Sequence, residues 1–556
     1  MDQEDQMQTS DIVDVSISNI SVDHGNRHML TVHMDDYNDR IRQGSTEITI
    51  HLENSRSVRA SLVSLSGKTA TLDAECALNL EADRITSITL SRRDEVNHVS
   101  GYVRDLAHAM MDNASQFEQD HPLLHAILSD TPSSAYSDAL HNNDQNTDAP
   151  PQLPSYLDEH QRNAAIEMEK SAITVIEGGA GTGKTRLIAA LMRCLAERRG
   201  TSPNSHVDGG ILCLASNNYA ARNLTRSISK HLGARHVKLI VSPEFFVEWH
   251  EDEYQKLMAR DYCVVPTVND SSCFERPYIL VCTIGCVFGL LQKARSQQRP
   301  WLDAKTMIVF EEASQVDLMA AAAVMFLYPT SLAKVVVVGD TKQLPPYSKA
   351  RSVLAHCAQL TQNPTIGSKG TLKCARINLC TQHRMSVPLT QMISTVFYEG
   401  ELRAADTTET QAQEEEEHEP PIDWYHIDGA VRVTHDKSVY NPAEAAFVAQ
   451  FIHGMPEHTA VSVLTYYDAQ KVEIMRHMEQ SHTAVVHVYN VDSYQGREND
   501  VVVVSLATHH PSAFMLDRRR LNVACSRARK KLVFIGHRKI LEAPVWKELV
   551  PFCRHC

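Results

Sequence analysis

The sequence predicts an α/β protein in which two tandem parallel-sheet lobes follow a small β-barrel-like domain and a stalk helix. Three patterns carry this expectation. Continuous apolar strands recur between helical stretches in two successive sets, as in parallel sheets covered on both faces. A β-branched run, Ile173-Thr174-Val175-Ile176, passes through a glycine turn into the helical stretch Arg186-Leu187-Ile188-Ala189-Ala190-Leu191. From Asp11 to about Leu90, short runs alternate polar and apolar residues with period two, the signature of half-buried strands. With 556 residues the chain is too long for one core. The expected divisions are a β-rich domain over 1–95, a helical stalk over 96–130, a linker over 131–155, and lobes over 156–375 and 376–556.

Taken in order, the alternating runs are Ile12 to Ile17, Glu47 to Leu52 and Val58 to Val63, separated by Gly, Asn and Ser turns. Helical spacing follows from Val99 to about Leu128. The stretch from Asp130 to Pro151 is rich in Ser, Asn, Asp and Pro and reads as a linker. Asp158 with Gln161 three residues on makes a helix capping box at the entrance to the first lobe, although Gln161 also stands close enough upstream of the glycine turn to serve function. The first lobe's strands are expected at Ile211–Ala215, Tyr278–Cys282, Met307–Phe310 and Lys334–Val338. The second lobe's are expected at Ala460–Thr465, Val485–Tyr489, Val501–Leu506 and Leu532–Gly536. Between the lobes, Gln413 to Pro421 is an acidic run ending in prolines, a solvated surface loop.

Composition sets the class. An apolar share of 43% with 22% charge describes a soluble globular protein. No apolar run reaches membrane-spanning length, and Met1-Asp2-Gln3-Glu4-Asp5 is acidic where a secretory signal would be basic, so a cytoplasmic or nuclear address is expected. The thirteen cysteines are scattered, which suits reduced thiols. Cys553-Arg554-His555-Cys556 is half of a zinc pattern without a second pair to complete it. A net charge of -14 excludes a blanket of positive charge but leaves room for a locally basic groove.

The glycine turn carries the first chemistry. Gly178-Gly179-Ala180-Gly181-Thr182-Gly183-Lys184-Thr185 fits G-x-x-x-x-G-K-[ST] between a strand and a helix. Such a loop curls its backbone N–H groups inward at a helix N-terminus and holds polyanionic phosphate. Lys184 would reach the outer phosphates, and the Thr185 hydroxyl would ligate magnesium. Glu311 and Glu312 follow the strand Met307–Phe310, in the crevice where parallel sheets bind ligands. In order, they would hold the metal and position the attacking water. Gln343, after the next strand, is a candidate γ-phosphate sensor. Arg384 and Arg527 would reach across from the second lobe, since a guanidinium stays charged and offsets the charge of the transferring group.

The ordered series of motifs resembles superfamily 1 helicases, in the up-frameshift-like branch that includes senataxin and the immunoglobulin-mu-binding helicase. The residues that carry the likeness are Gln161, the run Gly178 to Thr185, A-S-N-N-Y-A-A-R-N-L at Ala215 to Leu224, E-E-A-S-Q at Glu311 to Gln315, G-D-T-K-Q-L-P-P at Gly339 to Pro346, Q-H-R-M at Gln382 to Met385, Q-G-R-E at Gln495 to Glu498, and R-R-L-N-V-A-C-S-R-A-R ending at Arg529. The likeness spans about residues 157 to 540 and implies two RecA-like lobes. It implies Gln161 on adenine, His383 against the base, Glu498 on the ribose side, and Arg384 with Arg527 around the γ-phosphate. Ser216, Asn217, Thr283 and Thr465 fall where the family grips the sugar-phosphate backbone of a single strand, contacts that fix position without reading sequence.

The activity so implied is ATP-dependent, 5′-to-3′ helicase or translocase action on single-stranded nucleic acid, RNA before DNA, with ATP and Mg2+. Protein partners would dock through the N-terminal domain. Two positions depart from the family: Glu311 stands where Asp is usual, and His383 where Tyr is usual. Glu311 favours the alternative of an ATP-gated RNA-binding clamp or scaffold with little unwinding. A fused nuclease has no acidic cluster of suitable spacing to support it.

Overall fold

The structure is a computed structural model that describes residues 13–15, 17–23, 26–34, 46–52, 57–66, 69–74, 85–92, 96–129, 153–201, 210–241, 256–257, 260, 262–264, 278–288, 305–329, 331–348, 350–362, 373–405, 420–434, 437–456, 459–480, 486 and 488–555. Most of the expected linker and nearly all of the acidic run lie outside the described residues. The chain divides into two compact units, one of residues 1–113 with 234–303 and one of 114–233 with 304–556.

In the first unit, strands β1 (Val13–Val15), β2 (Ile17–Asp23), β3 (Asn26–Met34), β4 (Thr46–Leu52), β5 (Ser57–Ser66), β6 (Thr69–Ala74) and β7 (Ile85–Arg92) form an antiparallel sheet. Its order is β1-β7-β4-β5-β6-β3-β2. The two ends of that order are a single residue apart in sequence, so the sheet returns on itself as a small barrel. Period-two alternation does what it should: Leu30, Val32, Ile48, Ile50, Leu72 and Ile88 are buried, while Arg59 and Asp73 face out. Helix α1 (Val96–Asp112) follows, with Tyr102 packed 5.0 Å from the ring of Phe288. Three short parallel strands complete this unit, Val237–Ile240 flanked by Cys263–Val264 and Ile279–Thr283.

The stalk expected over 96–130 is three helices, not one. Helical geometry lapses at Asn113 and again at His121, so that α2 (Ala114–Asp120) and α3 (Pro122–Ser129) are separate. Pro122 explains the second break, because its ring disfavours helical geometry in the residue before it and suits the first position of a new helix.

The second unit holds two parallel sheets. One contains β8 (Ile173–Gly178), β9 (Gly210–Ala215), β10 (Lys305–Glu311), β11 (Lys334–Gly339) and β12 (Cys374–Leu379), in the order β9-β10-β11-β8-β12. The boundary expected between 375 and 376 falls inside β12, which pairs with β8 from Cys374 to Leu379. This edge strand alternates, with Ile377 and Leu379 buried and Arg376 and Asn378 exposed, and so lacks the continuous apolar signal of its neighbours. The other sheet contains β13 (Ile422–His426), β14 (Val461–Thr465), β15 (Val488–Asn490), β16 (Asn499–Ser505), β17 (Ala528–Gly536) and β18 (Cys553–His555), in the order β15-β14-β16-β17-β13-β18. Trp546 packs edge to face on Trp424 and Phe534, whose own rings are tilted 30° to each other. Of the residues read as half of a zinc pattern, Cys553–His555 form the edge strand β18, where the Cys553 thiol donates to the Leu549 carbonyl at 3.3 Å, and Cys556 lies outside the described residues. Among the described residues the cysteines are free thiols, and no helix is long and apolar enough to cross a membrane.

One buried acid packed against the second sheet makes stability depend on pH. Glu444, fully buried on the helix Pro442–His453, accepts from the Ser505 hydroxyl at 2.6 Å and the Ala507 amide at 2.8 Å, which holds Ala507 at a left-handed φ of 61°. Burial pushes its carboxyl up from 4.5 to about 7, against the pull of these hydrogen bonds. A raised carboxylate pKa means that the folded chain binds the proton more tightly than the unfolded one. The stability this confers is fully present below 4.5 and is lost as pH rises through 7. Glu444→Gln keeps the accepting oxygen and removes the titration. Its melting temperature should therefore fall less than the wild type's between about pH 5 and 8, measured by scanning calorimetry in matched buffers; parallel curves would refute the assignment.

Candidate active site

The phosphate loop is built by glycine. Gly181 and Gly183 sit at φ of 79° and 81°, where a side chain is strained. A Cβ on Gly183 would also collide with the Gln161 amide nitrogen, and one on Gly178 would lie 2.5 Å from the Thr182 hydroxyl. Lys184 folds over its own loop, donating to the carbonyls of Gly178 at 2.8 Å and Gly179 at 3.1 Å. Thr182 donates to the Gly179 carbonyl at 2.8 Å. Gly183→Ala should therefore destabilise the protein by about 1–3 kcal/mol through left-handed strain alone, and weaken nucleotide binding through the displaced Gln161. Urea unfolding and titration with a fluorescent nucleotide check the two effects separately.

Gln161 caps its helix and also reaches the phosphate loop. Its backbone and side chain complete the capping box with Asp158, while its amide donates to the Thr182 carbonyl at 3.0 Å. It is fully buried and braces the loop from behind. In this arrangement its side chain is not open to a base.

Two carboxylates close the crevice at the end of β10. Glu311 is buried and accepts from the Thr185 hydroxyl at 2.5 Å, so the two expected metal ligands already touch. Burial pushes its carboxyl up to about 8, and its second oxygen is buried with no partner among the described residues. A hydroxyl beside a carboxylate with a spare oxygen is the donor set of a hard cation, so these residues fit magnesium. Glu312 sits at a left-handed φ of 51° and likewise has one buried oxygen without a partner.

The second lobe packs directly on this loop. The His383 amide donates to the Gly181 carbonyl at 2.9 Å, and its ring lies 3.1 Å from Asp158. Arg384 forms an ion pair with Glu498, which also pairs with Arg529 at 2.7 Å. Burial pushes the Glu498 carboxyl up, yet Arg384 and Arg529 outweigh it and hold the group below its ordinary value. Arg527 is 2% exposed, and its guanidinium donates to the Val523 carbonyl at 3.0 Å and to Gln343 at 3.5 Å. Burial, then the charge of Arg384, lowers its pKa to about 10, so it stays charged at neutral pH.

Sequence reasoning missed the bridge beneath these groups. Asp340 accepts from Gln343 at 2.9 Å and from the Tyr398 hydroxyl at 2.5 Å, and Asn522 donates to Tyr398 at 3.0 Å and to the Lys342 carbonyl at 2.9 Å. Burial raises the Asp340 carboxyl. Asp340 directly follows a buried strand, much as Glu311 closes one, a signal that could have found it; Tyr398 lies in no motif.

The four strand-gripping candidates separate. Ser216 donates to Gln315 at 2.9 Å, and Asn217 caps the helix Asn218–Ser229 by accepting from the Ala220 amide at 2.9 Å. These two are adjacent and half-exposed. Thr283 belongs to the other unit, where its hydroxyl accepts from the Cys286 amide at 3.2 Å. Thr465 needs correction: it is fully buried at the end of β14 with its hydroxyl 3.5 Å from the Tyr467 amide, so its side chain cannot touch a strand in this arrangement.

A second polar cluster, Asp428 with His509 and His537, has metal-ligating atoms within 4.8 Å of one another. Its hydrogen bonds are wrong for a metal. The His537 Nδ1 accepts from the Lys539 amide, which leaves the proton on Nε2, and the His509 Nε2 lies 2.8 Å from the Gly429 carbonyl, as a donor does.

Comparison with known proteins adds the family. Two family models, each described as an AAA domain, match residues 161–349 and 359–539. An uncharacterized ATP-dependent helicase of Methanocaldococcus jannaschii is 29% identical over 239 residues, covering 40% of this chain and 35% of that protein. A regulator of nonsense transcripts 1 homolog of Arabidopsis thaliana is 27% identical over 450 residues, covering 72% and 34%. A 5′-3′ DNA helicase of Mus musculus is 26% identical over 428 residues, covering 68% and 22%. The chain thus spans about a third or less of the length of these relatives.

Proposed function

We propose that this chain, which belongs to the up-frameshift-like branch of the superfamily 1 helicases, couples ATP hydrolysis to 5′-to-3′ movement along single-stranded nucleic acid, RNA in the first instance. The observation that carries this reading is the docking of the second lobe's Gln382–Met385 turn on the phosphate loop, with the His383 amide on the Gly181 carbonyl at 2.9 Å. That contact puts cationic groups of both lobes, Lys184, Arg384 and Arg527, around one anion-binding turn. The name of the mouse relative, a 5′-3′ DNA helicase, supports the direction. The regulators of nonsense transcripts support the branch.

The chain's own residues divide the work. Lys184 exchanges the Gly178 and Gly179 carbonyls for phosphate oxygens, and Arg384 exchanges Glu498 for the γ-phosphate, which frees Glu498 toward the ribose. Arg527 and Gln343 sense the same group through their shared hydrogen bond. Glu312 orients the attacking water, and its unpartnered oxygen would accept that proton. Thr185 and Glu311 would hold a magnesium ion, which when bound offsets phosphate charge. Hydrolysis removes the anion that draws the lobes together, and Ser216 and Asn217 release and regrip the strand backbone as the lobes part.

The clamp reading draws on Glu311, whose longer side chain already reaches Thr185 and whose buried carboxyl favours its neutral form. Steady-state phosphate release with matched RNA and DNA oligomers discriminates between the two. Strong stimulation with unwinding of 5′-tailed but not 3′-tailed duplexes supports the motor. Tight binding with negligible turnover supports the clamp.

A further inference from the structure

The turn Gln495-Gly496-Arg497-Glu498 meets the second lobe's own arginines on one side and the first lobe on the other. On the nucleotide side, Glu498 pairs with Arg384, and the Arg497 carbonyl accepts from Arg527 at 3.3 Å. On the other side, Gln495 accepts from Gln315 at 2.6 Å, and Gln315 in turn accepts from Ser216 at 2.9 Å. The Arg497 guanidinium lies over the Tyr219 ring, 4.3 Å from its centroid, and also donates to the Tyr489 hydroxyl at 3.1 Å. Tyr219 stands in the first turn of the helix that Asn217 caps. Arg222, one helical turn further on, holds the same ring from its own lobe, with its guanidinium 4.4 Å from the centroid. The ring also lies against the turn, because a Cβ on Gly496 would come 3.5 Å from Tyr219 Cδ1, and Gly496 itself has a φ of 82°.

No phosphate chemistry needs Tyr219 or the Arg497 side chain, and neither is a backbone-gripping residue in the scheme above. Their placement is what matters. The helix start that carries Asn217, beside Ser216, is tied by a cation–π contact to a residue whose backbone is held by Arg527 and whose successor holds Arg384. A displacement of that helix start moves Arg497, and with it the partners of both γ-phosphate arginines.

We propose that Tyr219 and Arg497 form a coupling contact that relays strand binding at Ser216 and Asn217 to Arg384 and Arg527. They are positioning residues, and the proposal rests on the motor reading. A strand backbone that shifts the helix start changes the turn, loosens Arg384 from Glu498, and so raises turnover.

The test compares Tyr219→Leu, Tyr219→Phe and Arg497→Ala with the unsubstituted chain. The readouts are phosphate release with and without a single-stranded RNA oligomer, and oligomer binding by fluorescence anisotropy without nucleotide. Tyr219→Leu and Arg497→Ala are expected to keep basal turnover and oligomer affinity within about twofold while strand stimulation falls about tenfold. Tyr219→Phe, which keeps the ring face, is expected to retain the stimulation. The proposal is overturned if Tyr219→Leu is stimulated normally, if Phe fails as badly as Leu, or if basal and stimulated rates fall in parallel as for a merely structural residue. Arg497→Ala decides the matter should Tyr219→Leu not fold. An unsubstituted chain that shows no stimulation by RNA or DNA overturns the motor reading as well; a stimulated one with an indifferent Tyr219→Leu overturns only this contact.

Discussion

Replacing Lys184 by Ala is expected to abolish ATP turnover and leave the fold intact. The ammonium donates to two carbonyls of its own loop, Gly178 and Gly179, and is only half-buried. Its loss therefore opens no cavity, and water can reach the carbonyls it leaves. Catalysis has no substitute for it, because the group that reaches the outer phosphates must be a compact cation on a flexible stem starting at the first residue of the helix. Loss of one preorganised charge at the transferring group costs about 10²–10³ in rate. Phosphate release should fall to background, while circular dichroism and the melting temperature stay close to the wild type's. Full turnover in Lys184→Ala would remove the phosphate loop from the mechanism.

The parts of this fold legible in the sequence are those where the signal is local. The strand–glycine–helix passage at Ile173 to Leu191 could be read because left-handed turns demand glycine and buried parallel strands demand a continuous apolar run. The barrel could be read from period two. Three things were not legible, each for a physical reason. Edge strand β12 buries one face only, so it lacks the run that marks β10 and β11, and the lobe boundary was drawn through it. Thr465 ends a strand as Ser216 nearly does, and a strand-end hydroxyl looks the same whether it points inward or out. The Arg384–Glu498 ion pair and the Asp340–Tyr398–Asn522 bridge join residues far apart in the chain, where nothing in the spacing records that they meet. The candidate site was thus visible as a set of groups, while the arrangement that pairs its arginines with the chain's own acid and carbonyls was not.

That arrangement sets the second large effect. Arg527→Lys is expected to lower the turnover number by about 10³-fold with nucleotide affinity changed only a few-fold, as for a finger that acts mainly on the transition state. The guanidinium serves the Val523 carbonyl, the Ser526 hydroxyl, the Arg497 carbonyl and Gln343 from one plane, at 3.0, 3.0, 3.3 and 3.5 Å. An ammonium is a point donor and cannot span these four acceptors, so lysine preserves charge without preserving geometry. Affinity should hold because Lys184 and the loop amides would supply the ground-state grip, whereas Arg527 contacts Gln343, the proposed sensor. Stability should fall too, since buried acceptors left unpaired cost about 1–3 kcal/mol. The kinetic and structural losses separate in single-turnover phosphate release at a temperature well below the mutant's melting point. If lysine restores the rate there, charge alone suffices and the planar fork is not what this site uses. If the rate stays low while a fluorescent ATP analogue binds normally, the guanidinium's reach across the seam is the catalytic property, and Arg384→Lys should then show a milder loss, because Arg384 is held mainly by the single acid Glu498.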